Sequence, residues 1–187
     1  MTILPNTSYY VSSGYLHVIG EVYNGSGQNV YIGSVRANFF DANGGLVDTD
    51  SGLVYLSYIK PGEKSCFQVL LPEPANWSYY EFERPNASIS NAHIPALTVF
   101  NDSGTVTGPS NYRIIGQIRN DDTMRVTFVK AVGTLYNDSD IPLGCWIGYV
   151  GGTNLDPGQV SSFEIGYSGR PWYDVQVYHL QPDGSAQ

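Results

Sequence analysis

Residues 19–24 read IGEVYN, and residues 115–120 read IGQIRN. Setting Gly20 on Gly116 fixes an offset of 96 positions. That offset carries Phe39-Phe40-Asp41 onto Leu135-Tyr136-Asn137, Pro61-Gly62 onto Pro157-Gly158, Ser65 onto Ser161 and Phe67 onto Phe163. Dropping one residue then sets Trp77 on Trp172. An ungapped register with matched apolar sites over this span marks two copies of one folding unit. Whatever fold is assigned must therefore close within about half of the chain.

Each copy is made of short runs with a two-residue period. Leu16, Val18, Gly20 and Val22 alternate with His17, Ile19, Glu21 and Tyr23, and the run ends at Asn24-Gly25. Val35, Ala37 and Phe39 alternate with Arg36, Asn38 and Phe40 before Asn43-Gly44-Gly45. LVYLSY, the turn IKPGEK, SCFQVLL and WSYYEFE follow. Alternation punctuated by Asn-Gly, Pro-Gly and Asx clusters describes strands joined by turns, and no stretch of ten residues carries a helical stripe. The predicted class is all-β: two tandem immunoglobulin-like antiparallel β-sandwiches. They cover 1–83 and 97–187, with a connector over 84–96 marked by Pro85 and Pro95. The paired aromatics at 39–40 are read as a strand end. Phe39 faces the core, Phe40 lies over the start of the next hairpin strand, and Asp41 caps the turn as an Asx-turn, as does Asn137 in the second copy.

The runs GEVYN, VRANFFDANGGLV and IKPGEKSCFQV, with GQIRN, AVGTLYNDSDIPL and LDPGQVSSFEI, resemble tandem FxLYD domains. Ala37 and Gly133 replace the first Phe of that pattern, and Asn137 stands where Asp is usual. The resemblance implies small Ig-like sandwiches in extracytoplasmic proteins of bacterial and archaeal envelopes. It implies no catalytic residues and no cofactor.

Nine basic against seventeen acidic residues give a net charge of −8. That balance argues against nucleic acid or an anionic membrane surface as partner. No apolar run approaches the roughly 18 residues of a membrane-spanning helix, so no membrane insertion is expected in this chain. Cys66 and Cys145 fall on non-equivalent strands of the two copies, and the sequence leaves their pairing open.

Six N-x-S/T triplets, at Asn6, Asn24, Asn76, Asn86, Asn101 and Asn137, exceed the roughly two expected by chance and suggest a secreted glycoprotein. The competing reading is that turns need Asn, Ser and Thr, which already accounts for Asn24 and Asn137. Asp48-Thr49-Asp50, Asp121-Asp122 and the 137–140 cluster read as hairpin loops, because none has the Gly and closing Glu of a calcium loop. No metal ligand set is expected. Trp77 and Trp172 could stack a sugar, but their matched places favour core or rim packing. His17, His93 and His179 lie far apart in sequence. No nucleophile elbow, zincin helix or phosphate loop occurs.

A non-enzymatic structural or adhesive module is therefore expected, located outside the cytoplasm, with other envelope proteins or further copies as partners. Tyr9, Tyr10 and Val11 are the segment expected to add as a strand to a neighbour. The alternative is a carbohydrate- or peptide-binding module.

Overall fold

The computed structural model describes residues 1–187, and they contain strands and turns but no helix. The chain divides into two compact units, Met1–Ser90 with Ile141–Leu143 and Asn91–Asp140 with Gly144–Gln187.

The first unit holds β1 (Thr2–Ile3), β2 (Ser8–Ser12), β3 (Tyr15–Tyr23), β4 (Val30–Tyr31), β5 (Ser34–Phe40), β6 (Leu46–Val54), β7 (Lys64–Pro72), β8 (Tyr79–Phe82) and β9 (Ser88–Ile89). β1 and β2 pair in turn along one edge of β3, and the order continues β3-β7-β6-β5-β8. All of these pairings are antiparallel. The alternation read from sequence sets the buried face: Leu16, Val18, Val22, Val35, Ala37, Phe39, Phe67 and Val69 are all fully buried. Ile19 and Glu21, assigned to the solvent face, are buried too, and Glu21 accepts from Lys64 Nζ at 2.8 Å.

The second unit holds β10 (Leu97–Gly108), β11 (Asn111–Asn120), β12 (Val126–Tyr136), β13 (Pro142–Tyr149), β14 (Val160–Tyr167) and β15 (Val177–Ala186). They form two antiparallel layers, β10-β11-β14 and β13-β12-β15. β10 does the work of β1 and β2 together: Thr98 opposes Arg119 as Thr2 opposes Tyr23, and Ser103 opposes Ile115 as Ser8 opposes Ile19.

The two units share their turn wiring at equivalent asparagines. Asn24 Nδ2 donates to the carbonyls of Gln28 and Ile59, each at 2.8 Å. Asn120 Nδ2 donates to those of Met124 and Leu155, each at 2.9 Å. The Oδ1 of each accepts the amide two residues on, from Ser26 and Asp122. Both asparagines are fully buried. Their own carbonyls receive the amides of Gly62 and Gly158, which share a φ of 76° that an L side chain rarely adopts. A Cβ on Gly20 would sit 2.5 Å from the Phe67 ring, and one on Gly116 2.7 Å from Phe163. Each glycine is therefore the floor on which the equivalent phenylalanine lies.

A tyrosine latch recurs as well. The Tyr80 hydroxyl is 2.8 Å from Thr7 Oγ1, and Tyr178 donates to Asp102 Oδ2 at 2.7 Å. Tyr80 opposes Phe39 as Tyr178 opposes Leu135. In the first unit the bond ties β8 to the residue just before β2, and in the second it ties β15 to β10. Burial, followed by donation to Asp102, pushes the Tyr178 phenol up to about 12, and burial pushes Tyr80 up as well. A phenol that is harder to ionise folded than unfolded stabilises the fold below its unfolded value near 10. Tyr178→Phe and Tyr80→Phe are each expected to cost about 1 kcal/mol in urea unfolding at pH 7. The stability lost by the parent between about pH 10 and about pH 12 should shrink in Tyr178→Phe.

The units differ at one bulge. Ile32 is buried at 1% exposure, while its counterpart Phe128 is 66% exposed with φ 54°. Val129 takes the core place, and its amide is fixed by the Thr153 carbonyl at 2.8 Å. Opposite the bulge, a Cβ on Gly184 would meet Val126 at 2.6 Å. A bulky residue in the left-handed region is strained. Phe128→Gly is expected to raise the melting midpoint, by the equivalent of about 1 kcal/mol.

One sequence expectation gains a contact and two need correction. Phe40 stands opposite Leu46, the first residue of the next hairpin strand, and its ring also stacks on Tyr79 of β8, with centroids 5.1 Å apart, because β5 pairs with β8 on its other side. Asp41 does cap the turn, accepting the amides of Asn43 and Gly45. The segment 84–96 is not a free connector. β9 pairs with β4, the Ser90 amide donates to Asn29, and the first unit runs to Ser90 rather than to 83. Beyond it, Asp122 accepts from the Ala96 amide at 3.0 Å and meets His93 Nε2 at 2.6 Å.

Candidate functional site

The sequence-marked residues are dispersed. Asn24 cannot carry a glycan in this fold, since its Nδ2 is buried and makes two hydrogen bonds to carbonyls. Asn137 is half-buried and caps Ser139. Asn6, Asn76 and Asn86 are exposed. Asn101 is exposed as well, but its Nδ2 donates to Gln117 Oε1 at 2.9 Å.

Trp172 is 2% exposed, wedged over Gly144 and against Tyr167, so the stacking role considered for it is ruled out by burial. Trp77 is half-buried, edge-on to Tyr9 at 5.1 Å and to Phe39 at 6.1 Å. Neither lies on a strand. Tyr9, Tyr10 and Val11 are not a free arm: they pair with Val18, His17 and Leu16 of β3. Tyr9 packs on Trp77, and Tyr10 stacks on His17 with centroids 4.3 Å apart. The aromatic content that made this segment look adhesive is what docks it at home.

The acidic turns spend their oxygens locally. Asp48 and Asp50 each accept the next amide. Asp121 accepts from Thr98 and Arg119. Asp122 is held down to about 2, first by the Ala96 amide, then by His93 and the Met124 amide. The histidines stay apart: His17 meets Gln68, and burial lowers its pKa, while His93 meets Asp122. Both cysteines are buried and disulfide-bonded.

One concave surface on the second unit gathers residues that no motif marked. A groove of about 470 Å³ is lined by Asn101, Ile115, Gln117, Tyr149, Ser162 and Glu164, over Gly116 and Phe163. In the β11–β14 register, Ile115 opposes Glu164 and Gln117 opposes Ser162, so alternation puts all four on one outer face. A Cβ on Gly148 would lie 2.2 Å from the Glu164 carbonyl oxygen. That close approach brings the end of β13 down on β14 and sets Tyr149 at the groove's edge. Asn101, at a β10 irregularity with φ 51°, closes the other side through its bond to Gln117. The face combines an exposed ring, aliphatic carbons, two amides, a hydroxyl and a carboxylate, a set suited to non-covalent recognition. Only its alternation was legible in sequence; the concavity depends on β13 bending onto β14.

No protein-family model and no curated protein sequence matches the chain. Among solved structures, a calcium-binding mutant of Bacteroides uniformis beta-glucuronidase 2 aligns at 12% identity with a TM-score of 0.28, over 98% of this chain and 28% of that one. A structure assigned as a beta-galactosidase from Bacteroides fragilis aligns at 13% identity with a TM-score of 0.23, over 91% of this chain and 33% of that one. The chain thus spans about a third or less of the length of either protein.

Proposed function

We propose that this chain is a non-enzymatic structural or adhesive module of a cell envelope or extracellular surface, built as a tandem pair in the manner of FxLYD domains. The observation that carries the reading is the duplicated polar wiring. Asn24 and Asn120, the Gly20–Phe67 and Gly116–Phe163 pairs, and the Tyr80 and Tyr178 latches hold turns, layers and strands in both units. Residues of types that elsewhere do chemistry are here committed to keeping each unit closed. Buried disulfide-bonded cysteines support an oxidising location.

Strand addition at β8 or β15 would use edges that are poorly suited to it. β8 has only four residues and carries Glu81, and β15 carries Pro182 and Asp183. Short length, charge and proline discourage edge pairing. Contacts through loops and outer faces suit the units better than exchange of β2. Labelling intact producing cells with a membrane-impermeant amine reagent tests the reading. Modification of Lys60, which is half-exposed, is expected before lysis; recovery of the chain only in an unlabelled cytosolic fraction would overturn it.

A further inference from the structure

We infer that the groove over Ile115 and Tyr149 binds a neutral saccharide. The inference stands apart from the spacer reading and uses none of its residues except Gly116 and Phe163 as floor.

The chemistry selects the ligand class. Tyr149 is 48% and Ile115 41% exposed, side by side with the amides of Asn101 and Gln117, the Ser162 hydroxyl and the Glu164 carboxylate. A pyranose presents one face of C–H groups and a rim of hydroxyls that both donate and accept. The ring and the aliphatic carbons cover the first; amide, hydroxyl and carboxylate oxygens and the amide N–H groups pair with the second. A purely apolar ligand would leave those polar groups desolvated and unpaired. An anionic ligand would meet Glu164 on a chain of net charge −8, with Arg113, 3.9 Å from Glu164, the cation beside it.

Comparison of the two units singles out the same face. At the offset of 96, Ile115 and Gln117 correspond to Ile19 and Glu21, which are 0% and 3% exposed, and Glu21 is tied to Lys64. Tyr149, Ser162 and Glu164 correspond to Leu53, Cys66 and Gln68. The residues that hold the fold are kept between units, while this face changes from closed to open, gains a ring, and exchanges the buried, lysine-paired carboxylate of Glu21 for the exposed one of Glu164. Asn101 adds a third observation. It sits in the left-handed region and has its amide fixed on Gln117, a strained, pre-set polar pair at the groove wall.

The test is an amide chemical-shift titration of the full chain with cellotetraose, maltotetraose, mannotetraose and chitotetraose, each to about 20 mM, a range that reaches weak single-site binding. At least one is expected to move the amides of Ile115, Gln117, Tyr149, Ser162 and Glu164, saturating with a Kd of about 0.1–5 mM. Tyr149→Ala and Gln117→Ala, each checked for an otherwise unchanged spectrum, should weaken it about tenfold or more. Tyr173→Ala, which removes an exposed ring outside the groove, should leave it unchanged. Gln117→Ala serves alone if Tyr149→Ala perturbs the fold. The proposal is overturned if none of the four sugars moves these amides, if shifts map elsewhere, or if they persist at full strength in the two groove variants.

Discussion

Gly52→Ala and Gly148→Ala are expected to be among the most damaging single-methyl changes in the chain. A Cβ on Gly52 would stand 2.1 Å from the Gln68 carbonyl oxygen, 2.4 Å from its carbon and 2.6 Å from the Val69 nitrogen. The corresponding atom on Gly148 would stand 2.2 Å from the Glu164 carbonyl oxygen. Backbone cannot rotate away as a side chain does, so relief requires β6 to leave β7, or β13 to leave β14. In the first unit this contact is where β6, already paired with β5, also pairs Leu53 and Val54 with β7 and so joins the layers. Overpacking at such a point costs about 3 kcal/mol, a large part of a typical domain stability of about 5–15 kcal/mol. Gly166→Ala is the matched control: it lies on β14 with negative φ, and nothing stands within 4 Å of its added carbon. Its midpoint in urea should move by less than about 0.5 kcal/mol. Equal effects at Gly148 and Gly166 would remove the close-approach argument.

Asn24→Ala and Asn120→Ala are the second pair. Each removes two donated bonds to carbonyls and one accepted from an amide, at a fully buried site, and Asn24→Ala also removes the bond accepted from the Ser26 hydroxyl. The carbonyls of Ile59 and Leu155 keep a partner, from the amides of Val30 and Val126. The loss is therefore smaller than three orphaned groups would imply, and about 3 kcal/mol is expected in each unit. Asn120→Asp discriminates geometry from volume. It keeps the shape but sets carboxylate oxygen against the carbonyls of Met124 and Leu155, so at pH 7 it should be at least as harmful as alanine. Burial among acceptors raises the folded pKa of such a carboxyl above its unfolded value. Its protonated form can donate, so relative to the parent the variant should recover stability as pH falls below about 5 and lose it as pH rises. A flat difference between the two proteins from pH 4 to pH 7 would refute the bonding assigned to Asn120.

The strands were legible because alternation is a local property. Leu16, Val18, Val22, Val35, Ala37 and Phe39 are buried as their spacing required. The motif residues Gly20, Asn24 and Gly62 were recognisable as signals, though their partners were not. Nothing in the order of residues says that the Phe67 ring needs the bare face of Gly20, or that Ile59 and Gln28 meet on one amide. Asn24 shows the hazard plainly. As a triplet it is a glycan acceptor, and as a buried amide it is the hub of a turn. The segment at 9–11 is a related case: the rings that suggested a partner pack on Trp77 and His17 in their own unit.

What the sequence determined alone was the period, the duplication and the turn chemistry, since each follows from neighbours a few residues apart or from one segment compared with another. Only the tertiary structure decided which polar groups are buried, where Ile19 closes and Ile115 opens, and how Tyr149 comes to stand beside Glu164. Those outcomes depend on strands about 15 to 50 residues apart meeting at particular heights, and a one-residue slip in any of them would turn every side chain to the other face.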